Sequence, residues 1–246
     1  MGSGYVLVTG ATSGIGEALA RILLTAGVPV VACGRNRKQL DSIIKFGKGI
    51  AIPYLYDLMD TGCLERHFAT FLQAHNVEIR GFVHCAGVYP IVPIRMMSDA
   101  DAHKVMDVNL FSAMALLSAM MKKRVNHGML ESVVMVSSTS SIRGTQGMTA
   151  YCASKAAIEG FVRAAAVELA PHVRINAVRP GAIPTEGGRA LSEGAQDMLT
   201  HPRDYGYLLG NGSIDDVVSM IRYLLSDQAR WITGQCFTVD GGLSAH

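Results

Sequence analysis

Thr9-Gly10-Ala11-Thr12-Ser13-Gly14-Ile15-Gly16 decides how the rest of the chain is read. The strand-like run Tyr5-Val6-Leu7-Val8 leads into it. After it, Ile15, Leu19, Ile22, Leu23 and Ala26 fall on one face of a helix. A glycine-rich turn in that position gathers backbone N–H groups and the positive end of a helix dipole at one point, and its glycines let a phosphate come close. A tight structural turn would also use glycines. The strand before and the amphipathic helix after favour a pyrophosphate cradle, so Gly10, Thr12, Ser13, Gly14, Ile15 and Gly16 are candidate dinucleotide contacts.

Working outward, short β-branched runs alternate with stretches of helical period to the end of the chain. The strand candidates are Tyr5–Thr9, Pro29–Cys33, Ala51–Tyr56, Gly81–His84, Ser132–Ser137, Val173–Val178 and Cys236–Val239. Several are apolar nearly throughout, as expected when helices cover both faces of a sheet. Further helical stripes are Leu40/Ile43/Ile44, Leu64/Phe68/Phe71/Leu72 and Val217/Val218/Ile221/Leu224/Leu225, while Ser98-x-x-Asp101 and Ser213-x-x-Asp216 have the pattern of capping boxes. The alternation predicts an α/β fold with a doubly wound, seven-stranded parallel sheet. No linker or repeat divides residues 1–246, so a single domain is expected, with a substrate lid at about 181–212 where periodicity fades.

Composition narrows the function classes. Hydrophobic residues are 49% and charged residues 17% of 246, which excludes a mainly disordered chain. The net charge of +2 gives no basis for a nucleic-acid or anionic-membrane surface. Five scattered cysteines without a C-x-x-C pair argue for a reducing compartment and against a disulfide framework or structural zinc, and no His/Cys/Asp cluster suggests a metal. The start shows no signal-peptide pattern, and the apolar run around Met114 to Met121 is too short to span a bilayer. A cytoplasmic protein is expected.

The end of the second strand bears on which dinucleotide binds. NAD sites usually place an acid there to accept from the ribose hydroxyls. Here the strand closes with Cys33-Gly34-Arg35-Asn36-Arg37-Lys38, with no acid before Asp41. Cations at a helix start oppose its dipole and need a reason, which a 2′-phosphate supplies. NADP is therefore expected over NAD, with Arg35 best placed to stack on adenine and pair with the phosphate.

Beyond the glycine turn come Asp57, Cys85-Ala86-Gly87, Asn109 in Asp-Val-Asn-Leu, Ser138, Tyr151-Cys-Ala-Ser-Lys155, Arg179-Pro180-Gly181 and Val239-Asp-Gly-Gly242. In this order the motifs resemble those of the short-chain dehydrogenases/reductases over essentially the whole chain, and most of all the 3-oxoacyl-[acyl-carrier-protein] reductases. The resemblance implies a Rossmann-type domain and hydride transfer between NADP(H) and a ketone or secondary alcohol. Tyr151 and Lys155 lie one helical turn apart on one face, so the ammonium is expected to lower the phenol pKa. By resemblance Tyr151 is the general acid for ketone reduction, and Ser138 polarises the carbonyl. Lys155 also holds the nicotinamide ribose, and Asn109 supports a water-linked proton relay.

The same resemblance assigns cofactor contacts to Asp57, Leu58, Ala86, Gly87, Asn109, Tyr151, Lys155, Pro180, Gly181, Ile183 and Thr185. The family's usual Asn-Asn-Ala-Gly reads His84-Cys85-Ala86-Gly87 here. That puts in doubt any role of the second asparagine's amide, and His84 is expected to be structural. Candidate substrate walls are Tyr89, Ile91, Ser140, Arg143, Gln146, Met148 and parts of 181–212. Arg143 is either an anion contact or simply solvated. Lys122-Lys123-Arg124 is expected to be solvated rather than a docking patch for acyl carrier protein. Related enzymes act on steroids, sugars, polyols and secondary metabolites, and a non-catalytic dinucleotide sensor is the alternative of another class. Relatives commonly form homotetramers, which is expected here.

Overall fold

The computed structural model describes residues 4–183 and 200–245. Seven parallel strands, β1 (Tyr5–Thr9), β2 (Val30–Gly34), β3 (Ala51–Leu55), β4 (Ile79–His84), β5 (Ser132–Val136), β6 (Arg174–Pro180) and β7 (Cys236–Val239), form one sheet. Its order is β3-β2-β1-β4-β5-β6-β7. From β1 the chain winds outward to β3, then crosses back to β4 on the other side of β1. The strand order therefore reverses between β1 and β4, and the crevice at their carboxyl ends is where such sheets bind ligands.

Alternate side chains along the central strands enter two separate cores, which explains why those strands read as unbroken apolar runs. On one face Leu7, Val31, Phe82 and Val133 pack with α3 (Thr61–His75), α5 (Ser112–Met121) and α7 (Thr149–Leu169). On the other, Val6, Val8, Val30, Val83 and Val134 pack with α1 (Gly14–Thr25), α2 (Arg37–Phe46) and α8 (Ile214–Leu225). Each fully buried aliphatic side chain stabilises the fold by roughly 1.5–3 kcal/mol. These layers hold the strand ends rigid.

Both predicted capping boxes form. Ser98 opens α4 (Asp99–Met106) and Ser213 opens α8, each accepting from the N–H three residues on while the aspartate accepts from the cap's own N–H. Between α4 and α5, a π-helical turn, Asp107–Phe111, widens the backbone. The continuous helix Asp99–Met121 has the length and composition of a membrane span. Slightly more than half of its apolar window, 56%, is buried within the protein, as in a core helix. The Lys122 side chain stays 40% exposed, as expected of a solvated cation, and its ammonium bonds the Glu65 carboxylate on α3, which holds that carboxyl below its usual range.

Candidate active site

A single cavity of about 1030 Å³ runs along the carboxyl ends of β1, β2, β4, β5 and β6. It is lined by the glycine turn from Gly10 to Gly16 apart from Ala11, and by Arg35, Asp57, Leu58, Ala86, Gly87, Ser138, Tyr151, Lys155, Pro180, Gly181 and Ile183. Thr185 and its neighbour Pro184 lie outside the described residues. Of the lid stretch, the described part contains a short 3₁₀ turn, Pro202–Tyr205.

The turn after β1 is built for close approach. Gly10 has φ +65°, and a Cβ there would lie 2.8 Å from the Ala86 nitrogen, which ties the β1 and β4 ends together. At Gly16 a Cβ would sit 2.3 Å from the Gly10 carbonyl oxygen, so only glycine lets α1 begin this near the strand. The side chains of Asn36, Ser98 and Ser213 cap their helices. Ser13 makes no such bond to α1, so the first-turn N–H groups of this helix remain directed at the cavity. This cradle suits a pyrophosphate. At the β2 end, Arg35 and Lys38 make no ion pair among the described residues, whereas Arg37 pairs with Asp41 at 3.2 Å. Arg35, Asn36, Lys38 and Asp57 line an adjoining recess. Asp57 Oδ1 accepts from the Met59 N–H at 3.1 Å.

Ser138 ends β5 in extended conformation, and its Oγ accepts from the Ser140 N–H at 3.1 Å. The Ser138 hydroxyl lies close enough to the Tyr151 phenol, which comes from the first turn of α7, to favour its ionised form. Lys155, one turn further along, is buried. Its Nζ donates to the Val136 carbonyl at 2.8 Å and lies 5.6 Å from the centre of the Tyr151 ring. Tyr89 meets Tyr151 edge-on with ring centres 6.0 Å apart. Burial disfavours the charge on both groups: it lowers the Lys155 pKa to about 8 and raises that of Tyr151. The expected lowering of the Tyr151 pKa by Lys155 is thus not what this structure shows. Desolvation is the largest influence on the phenol, and the Ser138 hydroxyl offsets it only in part. A phenol held protonated at neutral pH is suited to donating a proton.

Asn109 sits in the π turn, fully buried. Its Nδ2 donates to the Val88 carbonyl at 3.1 Å and to Ser154 Oγ at 2.9 Å, and its Oδ1 accepts from the Val88 N–H at 2.8 Å. It therefore clamps the loop after β4 to α7. A Cβ added at Gly87 would be 3.5 Å from both Asn109 Oδ1 and Lys155 Nζ, which places the two side chains around one small residue.

His84 does not line the cavity. Its Nδ1 lies 2.9 Å from Thr9 Oγ1 and its Nε2 lies 3.2 Å from the Val108 carbonyl, while Thr9 Oγ1 accepts from the Ala86 N–H at 3.3 Å. A neutral imidazole protonated at Nε2 satisfies every partner. Desolvation, reinforced by the Lys155 charge, lowers its pKa to about 3. The unfolded chain binds a proton near pH 6.5 that the folded chain refuses. His84 therefore costs the fold nothing above that pH and destabilises it progressively as the pH falls toward 3. Between pH 7 and pH 5 the wild type should lose about 2 kcal/mol through this residue. Urea unfolding at both pH values should show a smaller loss in His84→Asn, and an equal loss would refute the assignment.

Tyr207, inside the 181–212 stretch, and Leu243 are among several cavity residues that no motif marks. Tyr207 is buried, and its hydroxyl accepts from the Ala182 N–H at 2.9 Å. Leu243, from the C-terminal turn, lines the same end. Tyr207 lies in a stretch of weak periodicity, and no motif singled it out. Among the described residues no group of three or more His, Cys, Asp and Glu is placed to hold a metal.

A family model described as "Enoyl-(Acyl carrier protein) reductase" matches residues 10–244. A 3-oxoacyl-[acyl-carrier-protein] reductase of Thermotoga maritima is 32% identical over 96% of both chains. The chain belongs to the short-chain dehydrogenase/reductase family. An L-xylulose reductase of Caenorhabditis elegans is 30% identical over 97% of this chain and 95% of its own. The structure of 4-hydroxyisoleucine dehydrogenase complexed with NADH and succinate superposes with a TM-score of 0.88 at 30% identity, covering 98% of this chain and 100% of that one. Like other short-chain dehydrogenases/reductases, the chain is an oxidoreductase acting on an alcohol or ketone.

Proposed function

We propose that the chain is an NADP(H)-dependent oxidoreductase interconverting a ketone and a secondary alcohol, with 3-oxoacyl thioesters, free or carried by acyl carrier protein, as the first substrates to test. The observation that supports the reaction is the convergence of Ser138, Tyr151 and buried Lys155 in the same cavity as the glycine turn. NADP(H) supplies or accepts the hydride when bound. Gly10 to Gly16 would hold its pyrophosphate, Arg35 its 2′-phosphate and Asp57 and Leu58 its adenine. Ala86, Gly87, Asn109, Lys155, Pro180, Gly181 and Ile183, with Thr185, would hold the nicotinamide half.

The protein's own part in ketone reduction is proton delivery and orientation. Ser138 Oγ donates to the substrate oxygen as negative charge develops there, and Tyr151 Oη gives that oxygen its proton. Lys155 and Asn109 hold the line along which the phenol is reprotonated. A sensor has no use for an acid, a donor and a cation held together, so turnover is the reading these three residues favour.

The choice of NADP rests on Arg35. Loss of a charge-assisted hydrogen bond of about 1.5–3 kcal/mol weakens binding by roughly 10- to 100-fold. Arg35→Ala should raise KM for NADPH by about that factor and leave NADH within about threefold; equal effects on both would overturn the choice. The reaction is tested by NADPH oxidation with acetoacetyl thioesters beside a panel of bare ketones. Turnover of the thioester supports an acyl reductase. Turnover only of bare ketones keeps the chemistry and moves the substrate, and no turnover of either defeats the reading. A second substrate class, small polar ketones of the kind named for the L-xylulose reductase, is favoured by the polar wall formed by Ser140, Arg143, Thr145 and Gln146. We further propose a cytoplasmic homotetramer formed through α5, α7 and β7, near which Val167 and Trp231 are exposed apolar side chains.

A further inference from the structure

We infer that Arg143 is the specificity-determining residue of the cavity, and that the preferred substrates carry a free carboxylate within a small molecule's length of the reacting carbonyl. The inference rests on the oxidoreductase reading and narrows its second substrate class to oxo acids and their hydroxy-acid counterparts. Among the described residues, four charged side chains line the cavity: Arg35, Asp57, Arg143 and Lys155. Arg35 and Asp57 follow β2 and β3, at the end remote from Tyr151. The half that contains Ser138 and Tyr151 therefore holds two cations and, among the described residues, no carboxylate. An anion entering there is attracted, whereas a neutral ketone gains nothing from that charge.

Arg143 is exposed at the cavity wall and tethered by one hydrogen bond. Its Nη1 donates to the Leu243 carbonyl at 3.1 Å. Leu243 belongs to a turn fixed by Asp240, whose Oδ1 accepts from the Gly242 N–H at 3.0 Å and whose Oδ2 accepts from the Ser244 N–H at 2.9 Å. The neighbouring Tyr207 hydroxyl, bonded to Ala182, feels both the Asp240 carboxylate and, less strongly, the Arg143 guanidinium. One tether uses one of five N–H donors. The edge formed by Nε and Nη2 has no partner among the described residues, and such a planar fork can take a carboxylate through two parallel hydrogen bonds. Across the cavity, Tyr89, Ile91, Pro93 and Met148 offer apolar contact to a short carbon skeleton. A 3-oxoacyl thioester is neutral beside its ketone and leaves this fork unused.

The test compares the wild type, Arg143→Met and Arg143→Lys on 2-, 3- and 4-oxopentanoate and on their methyl esters, with kcat and KM resolved. The wild type should prefer at least one acid to its ester by about tenfold or more in kcat/KM, mainly through KM. Arg143→Met should lose about 30-fold on that acid and under about threefold on the ester, with Lys restoring part of the loss. Equal losses on acid and ester would reduce Arg143 to an anchor for the C-terminal turn and overturn the inference. So would a wild type indifferent to the carboxylate. If no ketone is turned over, the reaction reading fails separately, and binding to the protein–NADPH complex still decides the matter by fluorescence. Pentanoate binding that pentanamide does not match, and that Arg143→Met abolishes, upholds the carboxylate site. Equal binding of acid and amide refutes it.

Discussion

Tyr151→Phe should lower kcat/KM for carbonyl reduction by about three orders of magnitude while leaving the Kd for NADPH within about threefold. Of the cavity's phenols, Tyr151 is the one beside Ser138, where a proton can pass to the substrate oxygen as negative charge develops on it. Ser138 accepts from the Ser140 N–H and can polarise an oxygen, but a serine hydroxyl is far too weak an acid to protonate it. Lys155 donates to Val136 and approaches the ring face of Tyr151 rather than its edge alone, so it does not replace the lost phenol. Phenylalanine preserves the ring and its edge-on contact with Tyr89, which keeps the cavity wall in place. The pH profile supplies a second reading of the same site. Lys155, with its pKa lowered to about 8 by burial, loses its charge as the pH rises through that value. Reductive kcat/KM of the wild type should therefore fall above about pH 8. The profile and the Phe variant together separate an acid from a packed tyrosine: a variant that still turns over at a tenth of the wild-type rate would remove Tyr151 from the proton path.

What the sequence disclosed follows a physical division. Period-2 and period-3.6 patterns report burial, and here both sheet faces are buried, so the order of elements and the parallel sheet were legible from Val6, Leu7 and Val8 onward. Positions where a backbone needs one residue type were legible too: Gly10 and Gly16 stand where a Cβ would collide with backbone, and Ser98 and Ser213 where a helix needs a cap. Interactions between side chains distant in sequence were not legible. Nothing in the local pattern told that Tyr207 would bond Ala182, or that Lys122 would reach Glu65 on α3. The direction of the Tyr151 pKa is not legible in the sequence for a related reason. Four-residue spacing fixes the nearness of an ammonium, whereas the desolvation that opposes it depends on every element packed around the pair.

The least legible of these interactions lies behind Ser138, and it carries a large expected effect on stability. Glu159 is two turns along α7 from Tyr151. It accepts from Arg179 Nη2 at 2.6 Å and Nε at 3.0 Å, and from Ser137 Oγ at 2.8 Å, with Ser141 Oγ completing the set. Arg179 also donates to Thr238 Oγ1 on β7 at 2.8 Å. Burial works against the Glu159 charge, but the hydrogen bonds from Arg179, Ser141 and Ser137 outweigh it and leave the carboxyl below its ordinary range. Ser137 and Ser141 flank Ser138 and the short turn after it, so one carboxylate ties the end of β5 to the helix that carries Tyr151 and Lys155. Glu159→Ala leaves a nearly buried guanidinium without its carboxylate, while Ser137 and Ser141 keep the Lys155 and Ser138 carbonyls as acceptors, and should cost about 3 kcal/mol of unfolding free energy. Glu159→Gln keeps two of the bonds and should cost less. With its folded pKa depressed, Glu159 stabilises the native state fully above the unfolded value, and the contribution is lost as pH falls through the folded one. Denaturant unfolding of both variants at neutral pH, with NADPH affinity and kcat measured beside it, separates the two roles of the carboxylate. A folded Gln variant that binds NADPH normally yet loses about tenfold in kcat shows that the Ser138 turn is held by Glu159. One that keeps full kcat shows that the turn holds itself and that Glu159 serves stability alone.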